Sequence, residues 1–217
     1  MKEKAMVLLS GGLDSAVSLF WALSQGWEIR TIELDYYRRP RRESMACKAL
    51  RERGGIDPSH STVVPVDFIR EIVDISEDIP VNHLLLQSPR GYIPARNLVF
   101  YSLCAHYAEM LGVRYIVGGH NKADSEVFPD AGMDFFRQFN VLLRSAIWSY
   151  QNVRTEILLP LIHFRKSEVV SLGHSLGVPF EMTWSCYDDG ASPCRSCKSC
   201  TERGKAFEAT GLHDPLE

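Results

Sequence analysis

A chain of 217 residues with 45% apolar and 24% charged residues has the material for one sizeable core and is no fibrous or disordered polymer. Its formal net charge of −3 gives no basic field, so general nucleic-acid binding is not expected. No leader-like segment precedes the first apolar run and nothing approaches the length of a membrane span, so a cytoplasmic protein without membrane contact is expected.

Met6 to Leu9 form a short continuous apolar run, the pattern of a strand covered on both faces of a parallel sheet. Gly11 and Gly12 let the backbone turn sharply, and Asp14-Ser15 are placed to open a helix that Ala16 to Leu23 continue. Glu28 to Leu34 reads as a second strand ending at Asp35-Tyr36, Arg41 to Arg53 as a helix stopped by Gly54-Gly55, and Ser61 to Val66 as a third strand. Residues 74 to 94, with mixed polarity and three prolines, read as a long connection. Ala95 to Leu111 is apolar nearly all round and is expected as a buried helix ended by Gly112, with His106 a core histidine. Tyr115 to Val117 reads as a short strand running into Gly118-Gly119-His120-Asn121. Asp134 to Trp148 is helical in character, Ile157 to Leu159 the last strand, and Lys166 to Leu176 a helix ended by Gly177. A cysteine-rich segment and a helix from Ser199 to Thr210 close the chain. This alternation defines an α/β, Rossmann-like fold, a mostly parallel sheet with helices on both faces. Residues 1–180 are expected to form the nucleotide-binding domain and 181–217 a segment packed on it.

The strand–glycine turn–helix unit at residues 6 to 16 is the first chemical signal. Backbone N–H groups at a helix start attract anions, and the Ser10 and Ser15 hydroxyls are expected to add donors. No Gly-Lys-Ser/Thr follows, so it is not a Walker loop, and the dinucleotide fingerprint Gly-x-Gly-x-x-Gly is absent. Ser10-Gly11-Gly12-Leu13-Asp14-Ser15 instead resembles the pyrophosphate loop of the ATP pyrophosphatases; the bland alternative is an ordinary strand-to-helix turn. In a parallel sheet a ligand sits outside the carboxyl ends of the strands, where this loop, Asp35-Tyr36 and residues 118 to 121 would meet. The cluster Arg38-Arg39-Pro40-Arg41-Arg42 either neutralises an anionic substrate or forms a solvated turn. Arg96 and Lys166 open helices, where the dipole disfavours a cation, so a bound polyanion or simple exposure would explain each. No histidine pair has metal-ligand spacing, and His120 is the histidine placed at the crevice. Cys186-x7-Cys194-x2-Cys197-x2-Cys200 presents four thiolates at the spacing of a tetrahedral zinc knuckle, with an iron–sulfur cluster and a redox dithiol as rivals.

Further stretches extend the likeness over nearly the whole chain: Asp35-Tyr36, Tyr92-Ile93-Pro94-Ala95-Arg96-Asn97, Asn121, Asp124, Phe128-Pro129-Asp130, Pro160-Leu161, Lys166, Thr183-Trp184-Ser185-Cys186-Tyr187 and the other three clustered cysteines. With the first loop they resemble the 7-cyano-7-deazaguanine synthases of queuosine and archaeosine biosynthesis. That resemblance implies an ATP-dependent ligase that adenylates 7-carboxy-7-deazaguanine and uses ammonia to form an amide. A second adenylation then gives the nitrile, with release of AMP and pyrophosphate. It implies magnesium with ATP, one structural zinc held by Cys186, Cys194, Cys197 and Cys200, and a homodimer. Asp14, Ser15, Arg96 and Lys166 become the catalytic candidates. Leu8, Leu9, Ser10, Gly11, Gly12, Leu13, Asp14, Ser15 and Ala16, with Asp35, Gly118 and Asn121, become the nucleotide contacts. Arg38, Arg39, Tyr92, Asp124, Phe128, Asp130 and Asp134 become the acceptor contacts. The chain departs from the family in three places, one of them Arg195, where the family favours Gly inside the knuckle. It has Tyr37-Arg38-Arg39-Pro40 where the family has Gly-Gln-Arg-His, and Ser125 to Phe135 lacks the family's Arg-Pro. The arginine cluster, Arg39 foremost, is therefore expected to supply the cation for the acceptor carboxylate. A ligase of the same fold acting on another carboxylate and a non-catalytic zinc and nucleotide module are the competing readings.

Overall fold

The first strand, β1 (Lys4–Leu8), lies at the centre of the computed structural model, which describes residues 2–75, 80–88 and 92–217. Its Ala5, Met6 and Val7 are wholly buried, as an apolar run in a covered parallel strand requires. In chain order there follow α1 (Leu13–Ser24), β2 (Glu28–Tyr36), α2 (Arg41–Arg53), β3 (Ser61–Val66), α3 (Ile72–Ile75) and α4 (Arg96–Leu111). Then come β4 (Tyr115–Val117), α5 (Lys122–Val127), α6 (Met133–Ala146), α7 (Tyr150–Val153), β5 (Glu156–Leu158), α8 (Lys166–Ser175) and α9 (Lys198–Thr210). The strands form one parallel sheet in the order β3-β2-β1-β4-β5. Strand order reverses between β1 and β4, which opens a crevice at their carboxyl ends.

Successive strand residues face opposite sides, and the two cores divide accordingly. Ala5, Val7 and Val117 pack with α1, α8 and α9 through Val17, Val169 and Phe207. Met6, Ile32 and Ile116 pack with α4 and α6 through Tyr101, Cys104 and Phe136. Pro65, which has no N–H to give a ladder, sits in β3 at the sheet edge. At the opposite edge, Asn140 of α6 uses its side-chain amide as a substitute strand. It accepts from the Ile157 N–H at 2.7 Å and donates to the Ile157 carbonyl at 3.0 Å.

Helix α4 departs from the expectation of burial all round. It covers the sheet with one face and exposes Leu98 (44%), Ser102, His106 and Met110 (66%) at four-residue spacing. His106 is thus exposed and not a core histidine, because a helix in an outer layer has a solvent side whatever its composition. Helix α6 stops at Ala146, leaving Trp148 96% exposed. The short α5 and α7 were not apparent in the sequence pattern, and the expected connection at 74 to 94 lies partly outside the described residues. No helix among the described residues is long and apolar enough to cross a membrane.

The C-terminal segment is fastened by Arg203 of α9, which is buried. Its guanidinium donates to both Asp214 carboxylate oxygens (2.7 and 2.9 Å), to the Thr183 hydroxyl (2.6 Å) and to the Phe180 carbonyl (3.1 Å).

Candidate active site

Between β1 and α1 the chain turns at Gly11, whose φ of +87° favours glycine. A Cβ there would lie 2.3 Å from the Glu43 carbonyl oxygen of α2. Three further contacts hold the loop: the Trp184 N–H donates to the Gly11 carbonyl (2.9 Å), Arg39 Nη2 to the Ser10 carbonyl (2.7 Å), and the Cys47 thiol to the Leu9 carbonyl (3.3 Å). Burial pushes that thiol up to about 12, so it remains a donor at neutral pH.

The serine hydroxyls do not reach outward as expected. Ser15 Oγ accepts from the Ser10 N–H (3.2 Å) and the Ser10 hydroxyl (3.0 Å) and donates to the Gly12 carbonyl (3.0 Å). Helix α1 begins at Leu13 with Gly12 at its N-cap and no side-chain cap, so Asp14 and Ser15 shape the loop without capping the helix. The first-turn N–H groups of α1 therefore remain as anion donors. Lys166, at the start of α8, pairs with Asp14 Oδ2, while Asp14 Oδ1 is buried with no hydrogen-bond partner. The carboxylate offsets the unfavourable position of a cation at a helix N-terminus.

A second wall comes from β4. A Cβ on Gly118 would lie 1.8 Å from the Tyr101 hydroxyl, and one on Gly119 would lie 3.0 Å from the Ser15 nitrogen. Asn121 and Asp124 form a capping box on α5. The Asn121 side chain accepts from the Ala123 N–H at 2.8 Å and Asp124 accepts from the Asn121 N–H at 3.1 Å. Their polar atoms thus position this wall.

A small cleft is lined by Tyr92, Ile93, Arg96, Phe128 and Asp130. The Tyr92 and Phe128 rings lie nearly parallel, 6.3 Å apart at 11°. Asp130 accepts from the Asn97 N–H (2.8 Å) and so serves the start of α4. The Arg96 guanidinium has no hydrogen bond or ion pair among the described residues, although its charge reaches Glu43, Tyr36 and His120. His120 packs against Tyr101 (5.7 Å) and Phe136 (5.1 Å).

The arginine cluster serves another purpose than expected. Arg39, 2% exposed, bonds Glu33 at 2.7 Å and Glu43 at 3.0 Å as well as the loop. It is committed beneath the loop and cannot meet an acceptor carboxylate, because Glu33 in the buried β2 needs a cation. Burial pushes the Glu33 carboxyl up, and Arg51 (2.8 Å) and Arg39 more than offset this, leaving it below the usual range. Arg38 is largely exposed and bonds Asp74 at 2.5 Å, and Asp134 is exposed beside Arg137, so neither lines the cleft. Arg42 turns to the cysteine segment, donating to the Gly190 carbonyl (3.1 Å) and lying over the Trp184 ring (5.5 Å). Asp35 is exposed at the carboxyl end of β2.

The four clustered cysteines have sulfurs all within 4.8 Å of one another. A tetrahedral site with metal–sulfur bonds of about 2.3 Å needs sulfurs about 3.8 Å apart, so this donor set fits a metal ion. Backbone N–H groups already point at the sulfurs, from Asp188 and Cys194 to Cys186 (3.4 Å each), Cys197 to Cys194 (3.3 Å) and Cys200 to Cys197 (3.5 Å). The N–H groups of Ser196 and Cys197 lower the Cys194 thiol to about 6, whereas burial raises Cys186 and pushes Cys200 up to about 12, so the cysteines by themselves hold a thiolate at Cys194 and protons at Cys186 and Cys200. The segment also reaches α2, where Asp189 accepts from the Arg41 and Arg42 N–H groups, both at 2.8 Å. Sequence reasoning missed this cap and the Glu33–Arg39–Glu43 network. A glutamate inside the run Thr31-Ile32-Glu33-Leu34 was the available signal for the second.

The fold is that of the pyrophosphate-loop ATP pyrophosphatases. It resembles a 4-thiouridine synthetase solved as an RNA complex with bound ATP (TM-score 0.55, 19% identity, 96% of this chain and 50% of that one). It also resembles the NMN synthetase of Francisella tularensis (TM-score 0.53, 18% identity, 98% and 78%). Within that class, a family model described as queuosine biosynthesis protein QueC matches residues 4–211, and the chain belongs to that family. The 7-cyano-7-deazaguanine synthase of Thermoplasma acidophilum is 38% identical over 223 residues, spanning 100% of this chain and 92% of the relative. That of Trichodesmium erythraeum is 35% identical over 222 residues, spanning 98% and 99%.

Proposed function

We propose that the chain is a 7-cyano-7-deazaguanine synthase. It adenylates the carboxylate of 7-carboxy-7-deazaguanine, takes up ammonia to form the amide, adenylates the amide oxygen and releases the nitrile, with AMP and pyrophosphate leaving in each round. The observation that carries this reading is the Ser10–Ser15 turn into the uncapped start of α1, with Asp14 paired to Lys166, in a chain of this family. A carboxylate oxygen leaves poorly until it is a phosphate ester, and holding ATP beside the acid supplies much of the rate.

In this reading the free N–H groups at the start of α1, with Lys166 steered by Asp14, bind the phosphates. Leu8, Leu9 and Ala16 support them, and Asp35, Gly118 and Asn121 border the nucleotide. Tyr92 and Phe128 hold the flat ring, and Arg96 takes the acceptor carboxylate, in place of Arg39. Asp130, Asp124 and Asn121 keep the walls in place. Magnesium, when bound with ATP, neutralises charge on the departing pyrophosphate.

The knuckle metal is zinc in this reading, and it is structural, because four protein ligands leave no open position. Residues 1–180 are the nucleotide-binding part and 181–217 a segment packed on it, a division supported by the Trp184–Gly11 and Arg203–Asp214 bonds. A cytoplasmic setting keeps the thiols reduced. Exposed Val141, Leu142 and Trp148 supply apolar surface for a homodimer.

The test is incubation with 7-carboxy-7-deazaguanine, ATP, magnesium and ammonium. AMP, pyrophosphate and the nitrile are expected. ADP and orthophosphate would overturn the chemistry, and turnover of a different carboxylate alone would overturn the substrate.

A further inference from the structure

The steps above leave the turn after β2 without a part in the reaction, yet its neighbouring arginines reach two different places. Arg39 holds the Ser10 carbonyl at 2.7 Å, and Arg38 bonds Asp74 of α3 at 2.5 Å. Arg38 has a φ of +58°, which residues with side chains seldom adopt and which persists only where surrounding contacts hold it. Such contacts are present. The Arg39 N–H closes the turn on the Tyr36 carbonyl at 3.1 Å, and the Arg38 and Arg70 guanidinium groups both lie over the Tyr37 ring, at 5.3 and 4.7 Å. Asp74 is only 14% exposed, so water screens its bond to Arg38 less than it would a pair open at both ends. Tyr37 and Arg38 together therefore grip the segment from Arg70 to Asp74.

That segment in turn holds a wall of the cleft. The Ile72 N–H donates to the Tyr92 carbonyl at 3.4 Å, and Ile69 shares one apolar cluster with Ile93. Tyr92 and Ile93 line the cleft, where the Tyr92 ring lies nearly parallel to that of Phe128. A chain of contacts thus runs from the turn through α3 to the ring-binding wall.

We propose that Tyr37 and Arg38 are positioning residues for the acceptor: they clasp α3 and, through Ile72, set Tyr92 against Phe128 before the acid arrives. This rests on the reading of the cleft as the acceptor site. Neither residue lines the cleft, so both act through α3. A wall fixed in the free protein need not be ordered on binding, and a loosened wall pays that cost in acceptor affinity. The nucleotide side is held separately, by Arg39 with Glu33 and Glu43 beneath the loop.

The experiment compares wild type with Arg38→Gln, Asp74→Asn and the charge-swapped double variant Arg38→Asp/Asp74→Arg, since aspartate tolerates a left-handed φ. Hydrogen–deuterium exchange over residues 69–75, which include the Ile72 amide, reads the clasp with no substrate present. Steady-state kinetics reads the KM for 7-carboxy-7-deazaguanine and for ATP. Each single variant is expected to speed exchange and to raise the acceptor KM about 3- to 5-fold, the upper range for a partly exposed ion pair. The KM for ATP and kcat are expected to stay within about 2-fold, and the charge swap to return exchange and acceptor KM towards wild type. Unchanged exchange in the single variants, equal rises in both KM values, or no rescue by the swap would overturn the proposal. So would a lower acceptor KM in Asp74→Asn, which would show the released Arg38 meeting the acid itself. If the wild type does not turn over the acid, the substrate reading fails, whereas the exchange rates still decide whether the clasp exists.

Discussion

Arg39 and Arg96 show how two residues of one type divide between support and chemistry. Arg39 is sealed under the loop by Glu33 and Glu43 and holds the Ser10 carbonyl, whereas Arg96 faces the cleft without a carboxylate partner among the described residues. Removing one member of a buried ion pair strands the other, so Arg39→Ala is expected to destabilise the fold by about 3–5 kcal/mol. Arg96→Ala is expected to change stability by less than about 1 kcal/mol. It is also expected to lower kcat/KM for the acceptor by roughly 100-fold, the loss of one charged contact in a dry site. Urea unfolding and steady-state kinetics on the two variants check this, and a stable Arg39→Ala with a raised acceptor KM would restore the cluster as the acceptor's cation. The arginine run was legible in the sequence, but its partners were not, because a side chain seven or more ångströms long can turn either way until the sheet places Glu33 beneath it.

At the scale of elements, the cysteine segment is a buttress for the loop and not a separate appendage. It caps α2 with Asp189, covers Gly12 with Trp184 and bonds Gly11, so a metal held by the four cysteines would stiffen the Gly11–Gly12 turn. Cys197→Ser is expected to release the zinc, lower Tm and raise the KM for ATP. Metal analysis by atomic absorption with thermal unfolding checks it. Full zinc content and an unchanged Tm in this variant would show that the four-cysteine site is wrong. The cysteine spacing was plain in the sequence, since ligand spacing within one short segment is a local property. The contact with the loop was invisible, because more than 170 residues separate Gly11 from Trp184.

For the whole molecule, acid stability follows from the buried charges. His120 is lowered to about 4, so between its ordinary value and pH 4 the unfolded chain binds more protons and stability falls as pH falls. From pH 7 to pH 5 this amounts to about 2 kcal/mol, given an ordinary histidine value near 6.5. Glu33, held low, contributes stability that is lost only as pH drops below the usual carboxylate range. Glu43, raised by burial against the pull of Arg39, acts in the opposite sense, favouring the fold as pH falls. Both glutamates are common to wild type and His120→Asn, so urea unfolding at the two pH values isolates the histidine. The wild type is expected to lose about 2 kcal/mol more than the variant. Equal losses would show that His120 is not held neutral.

The alternation of apolar runs with glycine-stopped helices was enough, by itself, to predict the α/β class and the places of all five strands, because periodicity and turn chemistry are written in neighbouring residues. The loop and the four cysteines were local for the same reason. Only the tertiary structure decided which face of α4 meets water, that Arg39 lies under the loop while Arg96 faces the cleft, and that His120 packs against Tyr101 and Phe136. These depend on contacts between segments far apart in the chain, where burial and charge pairing choose among positions that local sequence leaves equivalent.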